Sequence, residues 1–223
     1  MSMCDPDGPL AVHVTKLLSS LDGRSHSALG RIYSGTIKEG EKVRVLGEGY
    51  SPEDEEDAST ATITAISIPR PGGRTKIRSA SAGNWVLIDG VDANIAKTAT
   101  IVGINERTFG NNGHGVDEDD TRIFAPPRFP GGEAVVKLAV EPLNPAELPK
   151  MVEGLRRVSK SYPALRTKVE ESGEHVVFGT GELYLDNVMH DLRCVHADIE
   201  VKGEAYFAFL FIPVDRRKVL VIF

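Results

Sequence analysis

The chain has 223 residues, 41% of them apolar and 26% charged, a balance that excludes wholesale disorder and fibrous architectures. A formal charge of −6 excludes a general nucleic-acid-coating role, which needs a basic surface to displace counterions, but leaves room for a local basic face. The two cysteines, Cys4 and Cys194, lie too far apart in sequence to read as a disulfide framework or zinc knuckle, and point to a reducing compartment. The opening residues are polar and run into a Pro/Gly turn, so no signal peptide is expected there. No apolar run approaches the roughly 18 residues needed to cross a bilayer, and a cytosolic or nuclear chain is expected.

From Leu10 to Ile101 the sequence shows short alternating stretches separated by glycine and acidic turns. Val12, Val14 and Leu17 open the series, and Asp22-Gly23 signals a hairpin. Val43 and Val45 share one strand face while Lys42 and Arg44 share the other. Gly35 and Gly40 punctuate this run, and Thr60 to Ile68, Trp85 to Ile88 and Lys97 to Ile101 supply further strands. Such a series predicts a small closed β-barrel, because closure removes exposed edges; an open sandwich is the alternative.

Nine acids fall in two runs, Glu53-Asp54-Glu55-Glu56-Asp57 and Asp117-Glu118-Asp119-Asp120, and without them the formal charge becomes +3. Like charges this dense repel and stay solvated, which places both runs in loops and makes them handles for a basic partner. They lack the alternating ligand spacing of a calcium loop. Asn111 to Gly115, Pro126-Pro127 and Pro130-Gly131-Gly132 read as connection, with a domain boundary near residue 131.

Ala134 to Val140 reads as a strand, and Asn144 as a cap for a helix that Pro149 delays to about Leu148. Val152, Leu155 and Val158 form its apolar stripe, with Arg156, Arg157 and Lys160 off it, and Tyr162-Pro163 ends it. Leu165 to Glu170 and His175 to Phe178 alternate as a hairpin about Ser172-Gly173-Glu174. A second helix follows from Glu182, with Leu185, Val188, Met189, Leu192 and Val195 as the buried stripe, and Ile199 and Val201 offer a closing strand. The order βαββαβ is that of a ferredoxin-like α+β domain.

No G-x-x-x-x-G-K-[ST] loop is present, and Gly179-Thr180-Gly181 reads as a strand-to-helix turn. His190, Cys194 and His196 are too few for structural zinc, and the serine, acid and histidine within Glu171 to His175 are too close in one hairpin to form a hydrolase relay. No catalytic, cofactor-binding or metal residue is expected, and the chain by itself is not expected to be an enzyme.

Several stretches resemble domains II and III of the translocase-type translational GTPases: Cys4 to Leu10, Gly30 to Val45, Gly90 to Asp92, Lys97 to Ile101, Ala139 to Pro142, Leu148 to Leu155 and Glu170 to His175. Gly47 to Asp57, Gly83 to Ile88, Lys160 to Pro163 and Gly179 to Leu192 are similar to the spliceosomal branch of that superfamily, the elongation-factor-two-like GTPases of the U5 small nuclear ribonucleoprotein. The translation factor itself would carry a less acidic loop at 47–57, no Trp after Asn84, and His in place of Tyr184. Eukaryotic elongation factor two, acting in ribosomal translocation, is the alternative.

The resemblance spans Cys4 to Lys202. It implies a barrel over 4–125, a linker over 126–132, a ferredoxin-like domain over 133–203 and a non-homologous apolar tail over 204–223. That tail holds five of the chain's 14 aromatics and is an aggregation risk. The GTPase domain that would precede Cys4, and with it GTP and magnesium, is expected only in a full-length parent, as are the domains that would follow.

For the parent the resemblance implies a nuclear role in spliceosome activation and disassembly, beside U5 RNA, the large scaffold protein and the RNA helicase. Two surfaces are candidates for such partners. One is Tyr50 with the acidic loop residues Glu53, Asp54, Glu55 and Glu56. The other is the basic set Lys150, Arg156, Arg157 and Lys160, with Arg166 and Lys168, facing RNA phosphate, although single exposed charges are commonly only solvated.

Overall fold

The computed structural model describes residues 4–20, 22–51, 53, 56–104, 123–127 and 134–206. The first hairpin pairs β1 (Ala11–Ser19) with β2 (His26–Ser34), and Val12 and Val14 point inward, fully buried. The register shifts between Val14 and Lys16, and this bulge returns Leu17 to the interior despite its odd spacing.

The chain continues through β3 (Thr36–Lys38), β4 (Lys42–Leu46), β5 (Ala58–Thr62), β6 (Ala65–Arg70), β7 (Gly73–Ile77), β8 (Ser79–Ser81), β9 (Trp85–Asp89) and β10 (Ala99–Gly103). The antiparallel ladder runs β5-β4-β10-β1-β2-β9-β6-β7. β5 and β6 are one segment bent at Ile63-Thr64, where the Ile63 N–H donates to Glu41 O and the Thr64 N–H to Asp89 O, each at 3.0 Å. The ladder therefore returns to the segment where it began, closing into a barrel-like sheet rather than an open sandwich.

Alternation fills the barrel: Ile32, Val43, Val45, Ile63, Ile66, Val86, Ile88 and Ile101 form its core, with Ile37 and Ala80 from the small β3–β8 ribbon. At the rim, the Asp57 carboxylate accepts from the Gly49 N–H at 3.0 Å and the Asp57 carbonyl from the Gly47 N–H at 2.9 Å, tying the neck of the acidic loop. After β10 the chain is pinned back on the outer wall at Phe124. Its N–H donates to Thr100 Oγ1 at 2.8 Å, and its ring stacks at 5.0 Å on both His13 and Tyr33.

In the second domain β11 (Val136–Pro142) leads to a 3₁₀ turn at Pro145–Glu147, where Asn144 Oδ1 accepts from the Ala146 N–H at 3.2 Å. Then follow α1 (Leu148–Ser161), β12 (Arg166–Val169), β13 (His175–Gly179), α2 (Glu182–Asp191) and, after a π-turn over Leu192–His196, β14 (Val201–Tyr206). The sheet is antiparallel in the order β12-β13-β11-β14 and shares one core with both helices: Leu138, Val140, Met151, Leu155, Val158, Leu165, Val177, Leu185, Val188 and Leu192. Gly154 lets α1 approach closely, since a Cβ there would lie 2.6 Å from the Ala197 Cβ.

Three expectations change. The buried stripe of α1 is Met151, Leu155 and Val158, and Val152 faces a surface groove with Leu148 and Pro149, because the spacings of four and three fit 3.6 residues per turn. At the end of α2 the π-turn inserts a residue, so His196 is buried where periodicity placed Val195, which is 37% exposed. β14 runs to Tyr206, opposite Lys137, so 204–206 belong to the sheet and not to a tail; backbone pairing, not composition, decides this. The rest of the expected tail, the acidic run at 117–120 and most of the expected linker lie outside the described residues.

Leu192→Ala should cost the second domain about 2–5 kcal/mol, since a fully buried leucine is cut back from both helices. Urea unfolding followed by far-UV circular dichroism should show the loss. The fluorescence of Trp85, the only tryptophan and a barrel residue, should shift less.

Candidate functional site: the seam between the two domains

The C-terminus of a helix presents carbonyls with no intrahelical partner, which draws cations. Just beyond the end of α1, Lys97 of the barrel meets the carbonyls of the turn that follows the helix: its Nζ donates to Pro163 O at 2.8 Å, to Tyr162 O at 3.4 Å and to Leu165 O. The exchange is reciprocal. Lys160, in the last turn of α1, donates to Asp92 O at 2.6 Å and Ala93 O at 3.2 Å in the 3₁₀ turn Asp92–Asn94 of the barrel. Burial pushes both ammonium groups below their ordinary pKa, against the pull of Glu48 on Lys97 and of Asp92 on Lys160. Glu48 is itself held by the Thr98 N–H at 2.8 Å and hydroxyl at 3.0 Å.

Between the two lysines the π-turn meets the β1–β2 hairpin. Gly23, at φ +65°, approaches so closely that a Cβ would lie 2.4 Å from Val195 O, so glycine is required twice over. His196 Nδ1 lies 3.2 Å from Gly23 O, and because a carbonyl only accepts, that nitrogen carries the proton. The His196 ring lies parallel to His26 of the barrel, at a 3° interplanar angle with centroids 6.2 Å apart, and both residues are buried.

Asp92 accepts from the His26 N–H at 3.2 Å and lies 3.8 Å from His26 Nδ1. Interaction with His26 first, and the Lys160 charge after it, hold the Asp92 carboxyl below its ordinary range. Burial, reinforced by His26 and Arg157, lowers the His196 pKa despite its bond to Gly23 O and the Asp191 charge. On the same side Tyr162 donates to Asp191 Oδ2 at 2.6 Å and meets Tyr184 edge-on at 5.5 Å; burial first, then Asp191, raise its pKa.

A cleft of about 250 Å³ opens at the seam, lined by Arg24, His26 and Asp92 of the barrel and by Glu153, Arg156, Arg157 and Lys160 of α1. Three residues of the expected basic surface, Arg156, Arg157 and Lys160, thus converge. Lys150 lies outside the cleft, 3.8 Å from Glu147, while Arg166 and Lys168 are exposed on β12. Of the acidic surface, Glu53 and Glu56 are exposed and Asp54 and Glu55 fall outside the described residues.

Tyr50 corrects the expectation. It is only 6% exposed, with the Arg44 guanidinium 5.8 Å from its ring centre, so it packs under the loop instead of facing a partner. His190 and Cys194 lie 3.9 Å apart at the surface, away from buried His196. Among the described residues no group of three His, Cys, Asp or Glu side chains is placed to hold a metal ion.

Lys97, Gly23, Arg24, His26, Asp92 and His196 were not singled out from sequence as site residues. Lys97 stood within a stretch that carried the family resemblance, whereas the helical period pointed past His196 to Val195.

Comparison with known proteins agrees with this two-part architecture. Residues 26–102 match the family model described as elongation factor Tu domain 2, and residues 131–202 match elongation factor G, domain III. The chain is 52% identical over 91% of its length to the 110 kDa U5 small nuclear ribonucleoprotein component CLO of Arabidopsis thaliana. The chain is thus similar, over nine-tenths of its own length, to U5 small nuclear ribonucleoprotein components, and its two halves match domains of the elongation-factor type. The chain is also similar to the 109 kDa component GFL of the same plant, 51% identical over 91% of the chain, and to the pre-mRNA-splicing factor cwf10 of Schizosaccharomyces pombe, 48% identical over 89%. The chain covers 19–20% of each of these relatives, about a fifth of their length.

Two predictions follow from the seam's chemistry. Lys97→Met should raise hydrogen exchange at the Leu165 amide, which is bonded to Tyr162 O, and Lys160→Met should do so at the Ile95 amide, bonded to Asp92 O. Each substitution removes charge-assisted bonds worth roughly 1.5–3 kcal/mol, and unchanged exchange at both amides would contradict the clasp.

The second concerns pH. A histidine whose folded pKa lies below its ordinary 6.5 binds fewer protons folded than unfolded, so stability falls as pH drops through about 6.5. His13, lowered by burial in the barrel wall, acts in the same direction. Urea midpoints measured at neutral and mildly acidic pH should converge partly in His196→Gln and further in the double variant with His13→Gln.

Proposed function

We propose that this chain supplies two adjoining modules of a U5 small nuclear ribonucleoprotein GTPase and works in pre-mRNA splicing, in the nucleus. The barrel module occupies 4–125 and a linker 126–132, followed by the second module. The strand order and antiparallel pairing of that module support the ferredoxin-like class. GTP and magnesium belong to the parent's nucleotide domain, and these modules contribute no nucleotide chemistry.

The observation that carries the reading is the seam. Two separately cored domains meet through a short set of polar contacts. Such contacts are directional and few, so they hold one orientation yet can break without disturbing either core, and the domains can then rotate as rigid bodies. A nucleotide-dependent push on the barrel would thus reach partners of the second domain as a change of orientation.

The exposed acidic loop residues Glu53 and Glu56 suit a basic protein surface, and the cations around Arg156 suit RNA. The partners we propose are U5 RNA, the large scaffold protein and the RNA helicase. In nuclear extract, the tagged chain should recover U5 RNA and U5 proteins and leave ribosomal subunits behind. Recovery of ribosomes without U5 components would instead assign it to translation.

A further inference from the structure

We propose that the seam cleft binds a phosphate group of an RNA backbone, and that the bound phosphate braces the two domains against each other. The choice of RNA rests on the splicing reading above, while the cleft rests on its own chemistry.

Both carboxylates in the cleft wall are already engaged. Glu153 is paired with the Arg157 guanidinium, and Asp92 is held by His26 and the Lys160 charge. That leaves Arg24 from the barrel and Arg156 from α1, neither guanidinium in an ion pair within 4.0 Å among the described residues, although the Arg24 charge acts on nearby Asp22, whose carboxylate accepts from the Arg24 backbone N–H. Arg156 instead faces the like charge of Lys160, a repulsion that an anion between them relieves.

His26 adds an independent observation. Its side chain is 2% exposed, it lines the cleft, and its Nε2 is a buried polar atom without a hydrogen-bond partner. In the tautomer that protonates Nε2, this nitrogen is a donor in need of an acceptor, which an anionic oxygen brought to the cleft supplies.

The chemistry of the wall selects the ligand. Two guanidinium groups without a close ion pair match one singly charged phosphodiester, which they can bind in forked geometry. No Phe, Tyr or Trp lines the cleft, so a base finds no stacking platform and the contact is to backbone, independent of sequence. Because Arg24 and His26 belong to one domain and Arg156 to the other, a phosphate held by all three favours the docked orientation. By linkage, whatever loosens the seam must weaken the RNA.

The test uses the 223-residue chain and a short fluorescent oligouridylate, with anisotropy read across a salt series. Arg24→Gln with Arg156→Gln should weaken binding at least about tenfold at low salt and lower the salt slope by roughly 1–2. Lys150→Gln, on the same helix outside the cleft, should change little. Lys97→Gln, remote from the cleft, should weaken binding by several-fold because the two halves lose their alignment.

Wild-type affinity in the double arginine variant, or an equal loss in Lys150→Gln, overturns the site. Wild-type affinity in Lys97→Gln overturns the bracing. Competition by inorganic phosphate at concentrations similar to the RNA phosphate overturns the RNA assignment. A chain that recovers U5 components from extract but binds no oligouridylate refutes this cleft and leaves the splicing reading intact; one that binds RNA but recovers only ribosomes does the reverse.

Discussion

Each domain sends one lysine across the seam to the carbonyls at a helix end of the other. A lysine placed this way loses water on several sides, which explains why both ammonium groups are easier to deprotonate than in solution. Backbone dipoles offset part of that loss without supplying a full countercharge. The result is a pair of directional contacts, stronger than neutral hydrogen bonds and weaker than a buried ion pair. Domains joined so are ordered relative to one another while neither core depends on the other.

Much of the local irregularity serves this contact. A regular end to α2 would have buried Val195, an apolar side chain with nothing to offer the hairpin opposite. The π-turn advances the chain by one residue and delivers an imidazole to the Gly23 carbonyl. The hairpin answers with a glycine in the left-handed region, leaving room for the Val195 carbonyl. Each feature also serves its own domain, Gly23 by closing the β1–β2 turn through its N–H to Ser20 O and the π-turn by seating Leu192 in the core. π-turns recur at functional sites for this reason: they re-aim a side chain at the cost of one helical bond.

Charge is divided between the two ends of the molecule's chemistry. At the barrel rim Asp57 ties the residues that flank the acidic run, while cations gather where α1 meets the barrel. A net negative chain thereby keeps a cleft in which cations outnumber carboxylates.

The strands of the barrel and the strand–helix order of the second domain were legible in the sequence because periods of two and 3.6 are local consequences of burial on one face. Val43 and Val45, Leu155 and Val158, and the cap at Asn144 all behave as their neighbours dictate. The resemblance was legible too, since long matching stretches survive wherever backbone turns and close contacts admit few residue types. The barrel's closure through Ile63-Thr64, the burial of Tyr50 and the extension of β14 to Tyr206 were not, since each depends on a pairing partner distant in the chain. The seam was the least legible part. Lys97, Lys160, His26 and His196 become a site only when two independently folded surfaces meet, and no local pattern encodes which polar groups a second domain will strip of water.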